Sequence, residues 1–193
     1  MSKEDKSIKV HQRDKVKEDL KIRDLNWTEK QKEFIKLALD KKTKLIFISG
    51  PAGSSKTLLS VYCSLHLMKE KKISEIMYIR SPVESSDSKI VFLPGDADEK
   101  LKYYNRPFAD KLEELLNKGQ IDVLMQQERI KGHPLSFVRG MSWNCKSIIL
   151  DECFPGYEKV VTEVGAMKID SLFNSIFFFC GLGIPINIYL TIF

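Results

Sequence analysis

An apolar run, Leu45-Ile46-Phe47-Ile48, passes through Ser49-Gly50-Pro51-Ala52-Gly53-Ser54-Ser55 and reaches Lys56-Thr57, where a helical apolar pattern begins. A strand that turns through small residues into a helix opens an α/β unit, and it does so in a way suited to phosphate. Small side chains let successive backbone N–H groups turn inward around phosphate oxygens, and the following helix adds the partial positive charge of its N-terminus. In this reading Lys56 reaches the β and γ phosphates of a nucleoside triphosphate, and Thr57 offers its hydroxyl to the magnesium ion that bridges them. The usual spacing is Gly, four residues, Gly-Lys-Ser/Thr, and the second of those glycines is Ser55 here. On these residues alone, a Gly/Ser-rich turn between strand and helix is an equal account.

A second segment about 90 residues on decides between them. Ser147-Ile148-Ile149-Leu150-Asp151-Glu152 is an apolar run that ends in adjacent carboxylates. Its apolar residues suit a parallel strand buried on both faces, and its acids emerge at the carboxyl end, where open α/β sheets bind ligands. Asp151 is placed to hold magnesium, directly or through water, and Glu152 to orient and deprotonate an attacking water. A strand with an acidic exit is the plain alternative for this segment taken alone. Paired with the upstream phosphate loop, it specifies a nucleoside-triphosphate site.

The chain has 193 residues, enough for one α/β domain with a sizeable core and marginal for two. A formal net charge of +5 permits contact with nucleic acid without demanding it. Cys63, Cys145, Cys153 and Cys180 show no Cys-x-x-Cys spacing, and His11, His66 and His133 lie far apart, so reduced thiols are expected rather than a zinc site or a disulfide framework. The N-terminal Met-Ser-Lys-Glu-Asp-Lys leads into no apolar stretch, which predicts a cytoplasmic protein without a secretory signal.

Residues 1–24 alternate basic and acidic side chains, and the pattern predicts a charged mobile arm or a loosely held helix. Trp27-Thr28-Glu29-Lys30-Gln31 then opens a helix whose apolar positions include Phe34, Ile35, Ala38 and Leu39. Thr28 and Gln31 have capping-box spacing, and the Gln31 amide could equally pair with an adenine edge; both readings stand open. From Thr57 to about Lys71 the periodicity predicts a helix, in which His66 is a packing or surface residue. Ile76–Ile79 reads as a strand ending at Arg80-Ser81-Pro82. Val91 to Asp96 reads as an apolar patch closed by a Pro-Gly turn, with a helix after it that breaks at Pro107 and resumes from Phe108. Ile121 to about Arg129 reads as helix and Pro134 to Val138 as a short strand leading to Arg139-Gly140. The order of elements describes a P-loop NTPase core of the α/β class over 25–152, with a mostly parallel sheet flanked by helices.

These blocks resemble the PhoH-like family of ATPases, which is related to superfamily 1 helicase cores. The resemblance is carried by Gly50-Pro51-Ala52-Gly53-Ser54-Ser55-Lys56-Thr57, Arg80-Ser81-Pro82-Val83-Glu84, Phe92-Leu93-Pro94-Gly95-Asp96, Arg106-Pro107, Phe137-Val138-Arg139-Gly140 and Ile149-Leu150-Asp151-Glu152. It implies binding of ATP and Mg2+, hydrolysis by the complete enzyme with Glu152 as base and Lys56 on the phosphates, a homo-oligomer, and a role on RNA or single-stranded nucleic acid. Arg80, Arg106 and Arg139, near loop positions, are the candidates for nucleic-acid contact. A nucleotide-binding module without turnover is the alternative.

After Glu152 the resemblance fails. The family continues Ala-Gln-Asn and later supplies a further strand with a γ-phosphate sensor, whereas this chain continues Cys153-Phe154-Pro155-Gly156. The C-terminal part of the core is therefore missing or replaced, and 153–193 form a divergent apolar tail. Its uncharged stretch 171–193 is long enough to anchor in a membrane, although Gly181, Gly183 and Pro185 interrupt it. Core strands that substitute for the missing ones are a second account. Translation past a coding segment, in a split ATPase gene, is the favoured third, because Phe, Ile, Asn, Leu and Tyr are the residues A/T-rich codons specify.

Overall fold

A computed structural model describes residues 19–48, 50–51, 53–80, 97–134, 138, 141, 143–151, 159–162, 165–168 and 186–191. In chain order its elements are α1 (Glu29–Leu39), β1 (Leu45–Ile48), α2 (Lys56–Lys69), β2 (Glu75–Arg80), α3 (Ala97–Leu115), α4 (Lys118–Gln126), β3 (Ile130–Pro134), β4 (Lys146–Asp151), β5 (Lys159–Thr162), β6 (Gly165–Lys168) and β7 (Ile186–Thr191). Five strands form one parallel sheet in the order β1-β7-β4-β2-β3, and β5 and β6 pair antiparallel in a separate sheet. Parallel strands need crossover connections, and the helices between β1, β2 and β3 supply them.

The core is built around α2. Eleven of its fourteen residues are buried, so the helix is apolar nearly all round, as an element covered on several sides must be. Leu65 and Met68 are fully buried together with Ile76 and Tyr78 of β2 and Leu112 and Leu115 of α3. Truncating Leu65 to alanine in such packing costs about 2–5 kcal/mol. The helix ends where Lys71 adopts φ +59° and the Lys72 N–H reaches the Leu67 carbonyl at 2.9 Å, a closure of Schellman type.

Several expectations are corrected. Residues 19–24 at the end of the charged arm pack on the fold, with Leu20 fully buried and the Arg23 N–H donating to the Leu115 carbonyl at 2.8 Å, while residues 1–18 lie outside the described residues. The anticipated break at Pro107 does not occur, and α3 runs through it to Leu115. Phe108, Leu112 and Leu115, all buried on the core side, hold the helix in register and offset the N–H that proline lacks. The third strand begins earlier than expected, at Ile130, and runs to Pro134; residues 135–137 of the expected strand lie outside the described residues. Val91 to Asp96 lies outside the described residues.

The tail contributes to the sheet. β7 lies parallel between β1 and β4, its Ile188 opposite Leu45 on one side and Ile148 on the other. The place beside the Asp151 strand is thus replaced rather than left empty, which is the arrangement the substituting-strand account requires. Among the described residues no helix is long and apolar enough to cross a membrane, and Ile186–Thr191 of the apolar stretch is β-strand.

Candidate functional site

β1, β4 and β2 carry their carboxyl ends to one edge of the sheet, as parallel pairing dictates, so the loop after β1 and the exit of β4 meet although 94 residues separate Thr57 from Asp151. The Thr57 hydroxyl donates to Asp151 Oδ2 at 2.9 Å. Asp151 is 4% exposed, and the Tyr78 hydroxyl donates to the same oxygen at 2.8 Å. A carboxylate removed from water needs such hydrogen-bond donors to offset its burial. With its proton committed to Asp151, Thr57 Oγ1 keeps lone pairs for a cation, so the donor set fits magnesium.

The loop has the features of an anion cradle. Gly53 has φ +78° and Ser55 φ +64°, both left-handed. This is the physical reason the usual pattern has glycine at Ser55, since a side chain there is strained by about 1–2 kcal/mol. Ser55 makes no side-chain cap on α2, so the first N–H groups of that helix keep their capacity for an outside acceptor. The Ser54 hydroxyl is buried and, among the described residues, has no hydrogen-bond partner. Lys56 is buried and folds back so that Nζ donates to the Gly50 carbonyl at 2.8 Å and the Pro51 carbonyl at 3.0 Å. A Cβ on Gly50 would come within 2.7 Å of Ser54 Oγ, so glycine is what lets the loop close on itself there. An orphan donor, uncapped helix N–H groups and an ammonium across the loop together fit a phosphate group.

The phosphate-loop helix is fixed to the Asp151 strand from below. Ser60 Oγ donates to the Lys56 carbonyl at 3.0 Å and Ser64 Oγ to the Ser60 carbonyl at 2.7 Å, while Ser64 and Ser147 Oγ atoms lie 2.7 Å apart. Since the Ser64 proton serves Ser60, Ser147 is the donor of the last bond.

Gln31 serves the cap: its Oε1 accepts from the Thr28 N–H at 2.9 Å, and its own N–H donates to Thr28 Oγ1 at 3.4 Å. That segment rests on α2, because the Trp27 and Tyr62 rings lie 4.8 Å apart and the Tyr62 hydroxyl donates to Asp24 Oδ1 at 3.2 Å. His66 packs on Tyr62 with ring centroids 4.4 Å apart, and burial together with Lys69 holds its pKa below the ordinary histidine value.

Of the anticipated site residues, Gly50, Pro51, Gly53, Ser54, Ser55, Lys56 and Thr57 form the loop and helix start, and Asp151 joins them. Ala52 and Glu152 lie outside the described residues, as does Arg139. Arg80 ends β2 opposite Asp151 in register, and Arg106 is exposed on α3. Tyr78, Ser64 and Ser147 escaped the sequence reading. The available signals were an aromatic two residues before a strand exit and serines spaced by four along a buried helix.

Comparison with known proteins agrees with this geometry. The family model described as PhoH-like protein matches residues 25–162. A PhoH-like protein of Bacillus subtilis is 38% identical over 122 residues, covering 63% of this chain and 37% of the relative. One from Mycobacterium tuberculosis is 35% identical over 122 residues, covering 63% and 34%, and Protein PhoH of Escherichia coli is 32% identical over 126 residues, covering 64% and 35%. The chain thus spans about a third of the length of these curated relatives. With the family model matched across β1, the loop, α2 and the strands β2 to β4, the chain belongs to the PhoH-like protein family.

Proposed function

We propose that this chain binds ATP with magnesium at the loop between β1 and α2. The observation that carries the reading is the contact between Thr57 Oγ1 and Asp151 Oδ2 at 2.9 Å, which joins the phosphate loop to the acidic strand exit. Lys56 exchanges the loop carbonyls for phosphate oxygens, Ser54 and the first N–H groups of α2 donate to the same group, and Thr57 and Asp151 hold the metal. Magnesium, when bound, neutralises charge on the phosphates. Gln31, whose Oε1 is held in the cap by the Thr28 N–H, offers its side-chain NH2 group to adenine from a segment held on α2.

Hydrolysis is the activity proposed for the complete enzyme, with Glu152 removing a proton from the attacking water. In well-studied NTPases an arginine from a neighbouring subunit contributes about 10³–10⁵ in rate, so assembly into a homo-oligomer decides turnover. RNA or single-stranded nucleic acid is the proposed polymer partner, through Arg80, Arg106 and Arg139. Binding without turnover is the second reading, favoured by Cys153-Phe154-Pro155-Gly156 in the place of the Ala-Gln-Asn that the resemblance implies after Glu152, although the family match itself extends to residue 162.

Titration with a fluorescent ATP analogue, with magnesium and with a chelator, tests the site. Lys56→Ala removes charge-assisted bonds worth about 1.5–3 kcal/mol, so affinity falls by about tenfold or more. Equal binding by wild type and K56A would overturn the reading. Steady-state release of phosphate that K56A abolishes supports the enzyme; tight binding without release supports the module.

A further inference from the structure

Tyr78 is 1% exposed in the middle of the sheet, a costly place for a hydroxyl without a task. In register it stands opposite Ile149, so Asp151 lies two residues further along the neighbouring strand. Two residues span about 6.6 Å of strand, and a phenol is long enough to bring its oxygen across that distance. The ring is fixed in turn, because it stacks on Phe108 of α3 with centroids 4.9 Å apart and planes 2° from parallel. Phe108 is itself 4% exposed.

We infer that Tyr78 is a positioning residue for the metal: its hydroxyl fixes the Asp151 carboxylate, and its stack on Phe108 makes α3 part of the scaffold of the metal site. The inference rests on the proposed ATP site and deepens it. The two hydroxyls on Oδ2 have different roles. Thr57 stands in the first turn of α2, directly after the phosphate loop, whereas Tyr78 belongs to the sheet strand beside that of Asp151. The sheet hydroxyl therefore sets where the carboxylate stands before nucleotide arrives. Partners of this kind, one shell out from a metal, change its affinity by about 10–100-fold when removed.

Tyr78→Phe keeps the ring, the stack and the packing and removes only the donor. Mn2+ is the probe, read by electron paramagnetic resonance with saturating ATP, beside metal-free ATP affinity in chelator and the melting temperature. The expected result is Mn2+ affinity lowered about tenfold or more, with metal-free ATP affinity unchanged. Phe108→Leu, which keeps the Tyr78 hydroxyl but loosens its ring, is expected to weaken Mn2+ by a smaller factor. Y78F holding Mn2+ as tightly as wild type, in folded protein, would overturn the inference and leave Tyr78 a packing residue. Wild type is titrated first: failure to bind ATP removes the underlying reading, whereas normal ATP binding with an indifferent Y78F removes only this one.

Discussion

Ser147 on β4 and Ser64 on α2 share a hydrogen bond of 2.7 Å with neither residue exposed to solvent. This bond fixes the lower part of the phosphate-loop helix against the strand whose far end carries Asp151, so the loop and the acid keep their spacing through a buried polar link as well as through apolar packing.

The link is directional, and its two ends respond differently to truncation. Ser64→Ala strands the Ser147 hydroxyl in the core and is expected to cost about 1–3 kcal/mol. Ser147→Ala leaves Ser64 its bond to the Ser60 carbonyl and is expected to cost nearer 1 kcal/mol. In the double variant the stranded hydroxyl is gone, so the loss falls short of the sum of the singles; urea midpoints of all four proteins measure the coupling.

Ser55 offers the reverse experiment. Its left-handed backbone, at φ +64°, costs about 1–2 kcal/mol with a side chain, and glycine's greater freedom in the unfolded chain takes back about 0.4–1 kcal/mol. Ser55→Gly should therefore raise stability by up to about 1.6 kcal/mol with ATP affinity retained. Destabilisation in chemical unfolding would show that the loop does not hold this conformation.

Thr57→Ser keeps a hydroxyl for both Asp151 and a metal, while Thr57→Val keeps only the shape. T57S should bind magnesium-ATP within a few-fold of wild type, and T57V should lose most of the magnesium-dependent part of its affinity, by about tenfold or more. Isothermal titration with and without magnesium separates the two, and equal losses in T57S and T57V would count against the hydroxyl.

Acid is expected to weaken the fold before carboxylates titrate. Burial, with Lys69 for His66 and with Lys131 and Lys146 for His133, lowers both histidine pKa values, opposed at His66 by Glu70 and Asp24. The unfolded chain then binds protons first, so stability falls as pH drops below about 6.5 and goes on falling to the lowered folded values. Urea midpoints at pH 7.5 and 5.5 should differ for wild type and differ less in His66→Gln and His133→Gln.

Sequencing both the native message and the mature protein across Glu152 and Cys153 tests the origin of the tail. A message in which coding sequence for a sensor strand replaces the tail supports the split gene. A continuous message with a mature protein lacking the segment would overturn that account in favour of removal at the protein level, for which the Cys153 thiol directly after Glu152 supplies the nucleophile of an N-to-S acyl shift. A tail present in both makes β7 the native strand.

Much of this was legible in the residues. The β1, loop and α2 sequence, the Asp151 strand and the capping box at Thr28 and Gln31 all follow local rules that tertiary context reinforces. Pro107 misled because local propensity forbids a proline inside a helix while buried Phe108, Leu112 and Leu115 over-ride it. β3 misled because Lys131, Gly132 and His133 give no apolar run, and only pairing with β2 makes them a strand. Tyr78 was invisible for a related reason: its partner lies on another strand, and a buried tyrosine in a strand reads as packing until the register is known.

β1 finds its strand partner only in β7 among the described strands. On a ribosome, the element that launches the phosphate loop must therefore wait until about 140 further residues have been made before its backbone can pair, while β2, β3 and β4 have one another much sooner. Until β7 has been made, the nascent chain thus carries its nucleotide loop on a strand without this partner, and chaperones that recognise extended apolar segments would meet Leu45–Ile48 before any nucleotide does.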